Sequence, residues 1–172
     1  AYLPSRDPAF IEGRSGHTNR TGVGLMAMST YVATGGPLDV GEDVLADEMV
    51  RNGAQAVKRI QGPAGGWRYM AYDGRGDVSC TQFASAGLLA AAQIDQSADD
   101  SLPLLLDWVE GTVHPDGGHR YQGAWPDDVE PGEGDAHDRG SRRFTAYALW
   151  AQLLAGRLPS HSRAQEGLTY LR

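Results

Sequence analysis

Cysteine is almost missing from this chain: Cys80 stands alone among 172 residues. One cysteine excludes an intrachain disulfide and any metal site assembled from several thiolates of the same chain. Long apolar runs are missing too. The longest hydrophobic stretches, such as Ala84 to Ala92, fall short of the roughly 18 residues that a bilayer-spanning helix needs. A transmembrane span is therefore excluded, whereas a pocket for a lipid-sized apolar molecule is not. Positive charge is in deficit, with 15 Lys and Arg against 22 Asp and Glu and a formal net charge of -7. That balance favours solubility and opposes a broad nucleic-acid or anionic-membrane footprint. The first residues carry no signal-like apolar segment, which says little about the full gene product; the expectation is a soluble protein, with the cytoplasm weakly favoured. Gly-x-Ser-x-Gly elbows, His-Glu-x-x-His pairs and phosphate-binding Gly-rich Lys loops are absent as well.

Glycine, by contrast, is abundant, with 23 residues. Inside a helix each glycine costs about 1 kcal/mol relative to alanine, so a helical chain has to place them at turns or close contacts. Two turns repeat: Gly65-Gly66-Trp67-Arg68-Tyr69 corresponds to Gly117-Gly118-His119-Arg120-Tyr121. Three other segments align on threonines. They begin at Thr21, Thr81 and Thr145, carry Ala or Gly at the fourth position, and share another small residue three positions later. The anchors are 60 and 64 residues apart, which is the mark of stacked similar units.

These patterns predict an all-α chain of about six helices in three helical hairpins. First helices are expected near Thr18–Val32, Ser79–Ile94 and Ser141–Leu154, with Ser79 and Ser141 as N-caps. Second helices are expected near Glu42–Ile60, Leu102–Val113 and Ser162–Leu171, the first carrying acids at its start and Lys58 and Arg59 at its end. The hairpins occupy residues 17–60, 79–113 and 141–172, after an N-terminal extension over 1–16. Such hairpins cannot bury both faces alone and must stack, curving into part of an α-α toroid.

The segment Gln61-Gly62-Pro63-Ala64-Gly65-Gly66-Trp67 resembles the QW-type repeats of the terpenoid cyclase and prenyltransferase α-α toroid superfamily. The continuation through Gly76-Asp77 to Ser79-Cys80-Thr81-Gln82 is similar to prenyltransferase and squalene-oxidase repeat proteins. The second copy departs from the motif, with His119 in place of the tryptophan and Val113 in place of Gln61. The resemblance implies a ring of helices around a cavity for isoprenoid chains, of which this chain has about half. It also implies that the missing half comes from a second copy in a homodimer or from the rest of a larger chain, and that an apolar lipid is a candidate ligand.

The catalytic groups of that superfamily are matched poorly. No Asp-x-Asp-Asp acid is present, and Asp127-Asp128-Val129-Glu130 is only a loose version of a magnesium-binding cluster. The resemblance to protein prenyltransferases points to zinc held by Asp, Cys and His, for which Asp77, Cys80, His137 and Asp138 are the candidates. The spacing differs by one residue, and the plainer reading makes Asp77 a cap and Cys80 a small buried hydrophobe. No cofactor is therefore required; zinc and magnesium stay as minor candidates. Arg20 and Arg142 could hold an anion at helix starts, and Trp108 and Trp150 could line an apolar cavity although both suit a core. Trp125, in the acidic loop, is a candidate partner contact, while His114 and His119 read as turn residues. Gln61, Gly65, Gly66, Trp67, Gly117 and Gly118 are expected to be structural. The leading expectation is a non-catalytic or degenerate repeat domain that binds an apolar ligand or protein partner; the alternative is an isoprenoid cyclase or prenyltransferase, or a fragment of one.

Overall fold

The computed structural model describes residues 17–41, 44–69, 76–122 and 139–172. Among them are six α-helices: α1 (His17–Ala33), α2 (Ala46–Arg59), α3 (Val78–Ala92), α4 (Leu102–Glu110), α5 (Arg142–Leu154) and α6 (Ser162–Leu171). A 3-10 turn over Gln96–Asp99 precedes α4. Extended pairing among the described residues is limited to isolated bridges, so the chain is all-α and held by helix packing.

Helix α3 is the centre. Val78, Cys80, Thr81, Gln82, Ala84, Ser85, Ala86, Gly87, Leu88 and Ala91 are all buried, which leaves it almost no solvent face. A helix apolar on every side is one that other elements surround. Helix α1 packs on one flank of α3 and α5 on the other; α2 packs against both α1 and α3, and α6 packs on α5.

Close approach explains the small residues along this row. A Cβ at Gly22 in α1 would collide with the Phe83 carbonyl, and one at Gly87 would lie 2.7 Å from the Gly22 carbonyl oxygen. Each helical glycine costs about 1 kcal/mol in propensity, yet together they bring two helix backbones into contact. The packing gained there decides the sign.

Local chemistry sets the helix ends. The α2 stripe of Val50, Ala54 and Val57 is buried, Asp47 pairs with Arg51 at 2.8 Å, and Lys58 and Arg59 sit at the negative end of the dipole. This helix begins at Ala46, later than the expected Glu42, because Leu38 and Val40 hold back the preceding chain. The Ala46 amide donates to the Leu38 carbonyl and the Val40 amide to that of Val44, closing an Asp39–Leu45 bridge. Helix α4 stops at Glu110, short of Val113, because Val113 is drawn into a bridge with His119. Ser141 caps α5 by accepting from the Phe144 amide at 3.1 Å. At α3 the cap is Asp77 and not Ser79: Asp77 accepts from the Cys80 amide, and Ser79 lies one residue inside the helix.

Candidate functional site

The repeated glycine turns join the helices into one unit. In the first, the Gly62 amide donates to the Gly66 carbonyl and the Gly65 amide to that of Gly62, both at 2.8 Å. Gly65 has φ of 102°, a left-handed conformation that favours glycine. Gly66 serves a different purpose. A Cβ there would run into the buried Trp108 ring of α4, which lies against the turn. Trp67 follows, fully buried, its indole N–H donating to the Val57 carbonyl at 2.8 Å. Its backbone amide donates to the Thr81 hydroxyl at 3.0 Å, and its carbonyl accepts from the Asp77 amide. The Gln61 amide group donates to the carbonyls of Gly65 and Ser101. One seven-residue motif thus ties the end of α2 to the starts of α3 and α4.

The second turn repeats this backbone plan. The Gly117 amide donates to the His114 carbonyl, the His114 amide to the Gly118 carbonyl, and Gly117 has φ of 88°. The His119 amide donates to the Thr145 hydroxyl at 2.9 Å, as Trp67 does to Thr81. Thr81 and Thr145 are therefore structural equivalents; in α1 the hydroxyl that reaches a turn belongs to Thr18, which donates to the Arg68 carbonyl. The aromatic ring over Gly118 is Tyr170 of α6, whose Cζ would lie 2.5 Å from an added Cβ.

Side-chain chemistry is where the turns part. His119 is 2% exposed, and its Nδ1 lies 2.7 Å from the Thr112 hydroxyl. That hydroxyl donates its only proton to the Val109 carbonyl, also at 2.7 Å. Nδ1 must therefore carry the imidazole proton and donate it to Thr112, which leaves Nε2 bare. The amide nitrogen of Gln152 stands 3.5 Å from Nε2. Burial, with Arg157 and Arg163 adding to it, pushes the imidazole down to about 4, so it is neutral at pH 7.

The rim candidates are tied into helix architecture. Asp77 is fully buried; one carboxylate oxygen accepts from the Cys80 amide at 2.7 Å and the Ser79 hydroxyl at 2.6 Å. The other oxygen has no hydrogen-bond partner among the described residues. Cys80 is fully buried, and burial reinforced by Asp77 pushes its thiol far above the usual range. In that state the buried thiol packs as an apolar side chain. His137, Asp138, Trp125 and the Asp127–Glu130 cluster lie outside the described residues. No group of His, Cys, Asp and Glu side chains among the described residues has the arrangement of a metal site. Arg20 and Arg142 are exposed near the starts of α1 and α5, and Arg143 lies 4.8 Å over the Phe144 ring.

The two candidate cavity tryptophans separate. Trp108 is packed against Gly66 and Gly76 inside the fold. Trp150, in contrast to the core position that also suited it, is 39% exposed on α5, edge-on to Phe83 of α3 at 6.4 Å between ring centroids. Val23 of α1 and Leu153 of α5 are exposed as well. Sequence reasoning missed a second feature, an open groove of about 470 Å³ lined by Asp116, Gly117, Ser162, Gln165, Glu166, Thr169 and Tyr170. It lies at the second turn, where Gly117 faces open space; the equivalent Gly65 is covered by the backbone of Leu104. No protein-family model matches this chain, nor does any curated protein sequence.

Proposed function

We propose that the chain is a binding module of the α-α toroid kind, a non-catalytic or degenerate relative of the prenyltransferase and squalene-cyclase repeats, that takes an apolar ligand or an apolar surface of a protein partner. The observation that carries this reading is the Phe83–Trp150 pair, two aromatic rings meeting across α3 and α5 with Trp150 open to solvent. Exposed Val23 and Leu153 add apolar surface to the same row of helices. Exposed aromatic surface held on rigid helices suits binding of apolar chains. Of the candidate catalytic groups within the described residues, Asp77 caps α3 and Cys80 is buried in the core.

The test is a calorimetric titration with farnesol, a simple isoprenoid alcohol. Binding that weakens at least tenfold in Trp150→Ala, with the thermal midpoint unchanged, supports the module. Unweakened binding in that variant removes Trp150 and the exposed row from the proposal.

The enzyme alternative has one specific observation in its favour, the unpartnered buried oxygen of Asp77. Such an oxygen is a place for a donor or cation. Asp77→Asn keeps an acceptor for the cap and removes the charge. Turnover of a prenyl diphosphate or squalene that is lost in this variant, at unchanged thermal stability, would replace the binding module with an enzyme. Native mass spectrometry addresses the partner: a species of twice 18.4 kDa fits two half-rings closing on each other.

A further inference from the structure

The second glycine turn holds a buried imidazole where the first holds an indole, and it lies beneath the terminal helix. We infer that His119 is an acid-sensitive latch: protonation of its Nε2 opens the second turn and releases α6, while the packed row of α1, α3 and α5 stays folded.

The geometry gives a proton no acceptor. Nδ1–H is committed to Thr112, whose hydroxyl is committed to the Val109 carbonyl. Nε2 faces the amide nitrogen of Gln152, itself a donor. Rotating the Gln152 amide would offer its oxygen to His119, but that oxygen already accepts from Arg157 at 2.9 Å. The rotation would turn the amide N–H groups toward the guanidinium and leave a donor facing a donor.

Charge works in the same direction. Arg157, in the segment after α5, and Arg163 of α6 both oppose a positive imidazole, and Glu166 of α6 alone favours it. Glu166 is engaged by Arg163 at 2.8 Å, and Glu110 of α4 by Arg157. In the turn itself, Asp116 pairs with His114 at 3.0 Å, and Arg120 follows His119 in the chain.

Opening is cheap at this end of the molecule. Helix α6 buries only Ala164 and Gly167, and neither belongs to the main core cluster. Its chief helix neighbour is α5, and Tyr170 lies on Gly118, the residue before His119. Moving the turn therefore takes away the surface under Tyr170. Elements with few buried contacts open at free energies well below that of global unfolding.

The sign follows from linkage. The folded-state value of about 4 lies below the ordinary 6.5, so the closed form binds its proton less readily than the open form. Full protection is present above the ordinary histidine range and is lost as pH falls toward about 4. One proton taken up on opening corresponds to about a tenfold change per pH unit, and up to roughly a hundredfold across the window.

The experiment is residue-resolved amide hydrogen exchange from pH 7.5 to 4.5, corrected for the intrinsic pH dependence of exchange. Protection over 162–171 is expected to fall below pH 6.5 while protection over 78–92 stays constant. In His119→Gln the α6 response should flatten. His161 is a second imidazole at this end and caps α6 by accepting from the Arg163 amide, so His161→Asn, which keeps an acceptor there, should retain the response. Unchanged protection of α6, equal loss in α3 and α6, a full response in His119→Gln or a flat one in His161→Asn each overturns the latch. If His119→Gln does not fold, the His119 ring signal decides in the unaltered chain. A midpoint well below 6.5 that tracks the loss of α6 protection supports the latch; a midpoint near 6.5 with α6 intact overturns it.

Discussion

At the first glycine turn the Trp67 indole reaches the Val57 carbonyl in one step. At the second, the Thr112 hydroxyl takes the equivalent Val109 carbonyl, and His119 bonds in turn to that hydroxyl. Both arrangements satisfy a buried carbonyl near the end of the preceding helix. They differ in what else the side chain brings. The indole is large, apolar over most of its surface and cannot titrate, so its burial stabilises the turn at any ordinary pH. The imidazole is smaller, depends on two hydrogen-bonding neighbours, and can take up a proton that its burial resists down to about pH 4. The same backbone frame is thus robust where α4 covers it with Trp108, and conditional where α6 covers it with Tyr170.

The comparison breaks most sharply in the two turn side chains. Trp67→Ala should cost about 3–5 kcal/mol, from the cavity and the orphaned Val57 carbonyl, measured as a shift of the urea midpoint at constant slope. His119→Ala at pH 7 should cost about 1–3 kcal/mol by the same measurement, because Thr112 still satisfies Val109. Equal losses would mean that the turns carry the same load. The second glycines come next. Gly66→Ala drives a methyl into the buried Trp108 ring and should cost about 1–3 kcal/mol. Gly118→Ala meets Tyr170, which is only half-buried on the terminal helix and can swing away, so its thermal midpoint should fall less.

Gln61 gives a third contrast of similar size. Gln61→Leu leaves the Gly65 and Ser101 carbonyls without their donor and should cost about 1–3 kcal/mol. Val113→Gln, the matching change in the second copy, should change the stability read from the urea midpoint by no more than about 0.5 kcal/mol, since Val113 is only half-buried. The smallest effects belong to the caps. Ser141→Ala should cost about 1 kcal/mol through the lost bond to the Phe144 amide, seen as a thermal midpoint lower by about 2–4 °C. Ser79→Ala should cost less, because Asp77 and not Ser79 accepts from the Cys80 amide.

Helix positions were legible because period and punctuation agreed along the chain. The Val50, Ala54 and Val57 stripe, Pro103 in the first turn of α4 and the serine before Arg142 are all local signals. The cap at α3 was misplaced by two residues because Asp77 and Ser79 are both good capping residues. Only the hydrogen bond to Cys80 distinguishes them. The late start of α2 was hidden for a similar reason: acidic residues before a helix look like its first turn until a bridge such as Asp39–Leu45 claims the chain.

The candidate site was less legible, because its geometry depends on residues far apart in the chain. Trp108 and Trp150 sit in similar helical patterns, yet one lies on Gly66 and the other faces solvent beside Phe83. Nothing within ten residues of either separates them. The groove beside Gly117 is equally invisible, since it exists because α6 does not cover that glycine as α4 covers Gly65.

By itself the sequence determined the helices, their order and the recurrence of the glycine turns, all of which follow from preferences acting over one or two helical turns. Tertiary structure alone decided why the second glycine of each turn is glycine, because the ring it must admit arrives from a helix 42 or 52 residues further along. It also decided the state of His119, which burial first and then Arg157 and Arg163 push down to about 4, with Thr112 and Gln152 at its two ring nitrogens. Propensity is a property of a segment, whereas burial and charge at a point are properties of everything packed around it.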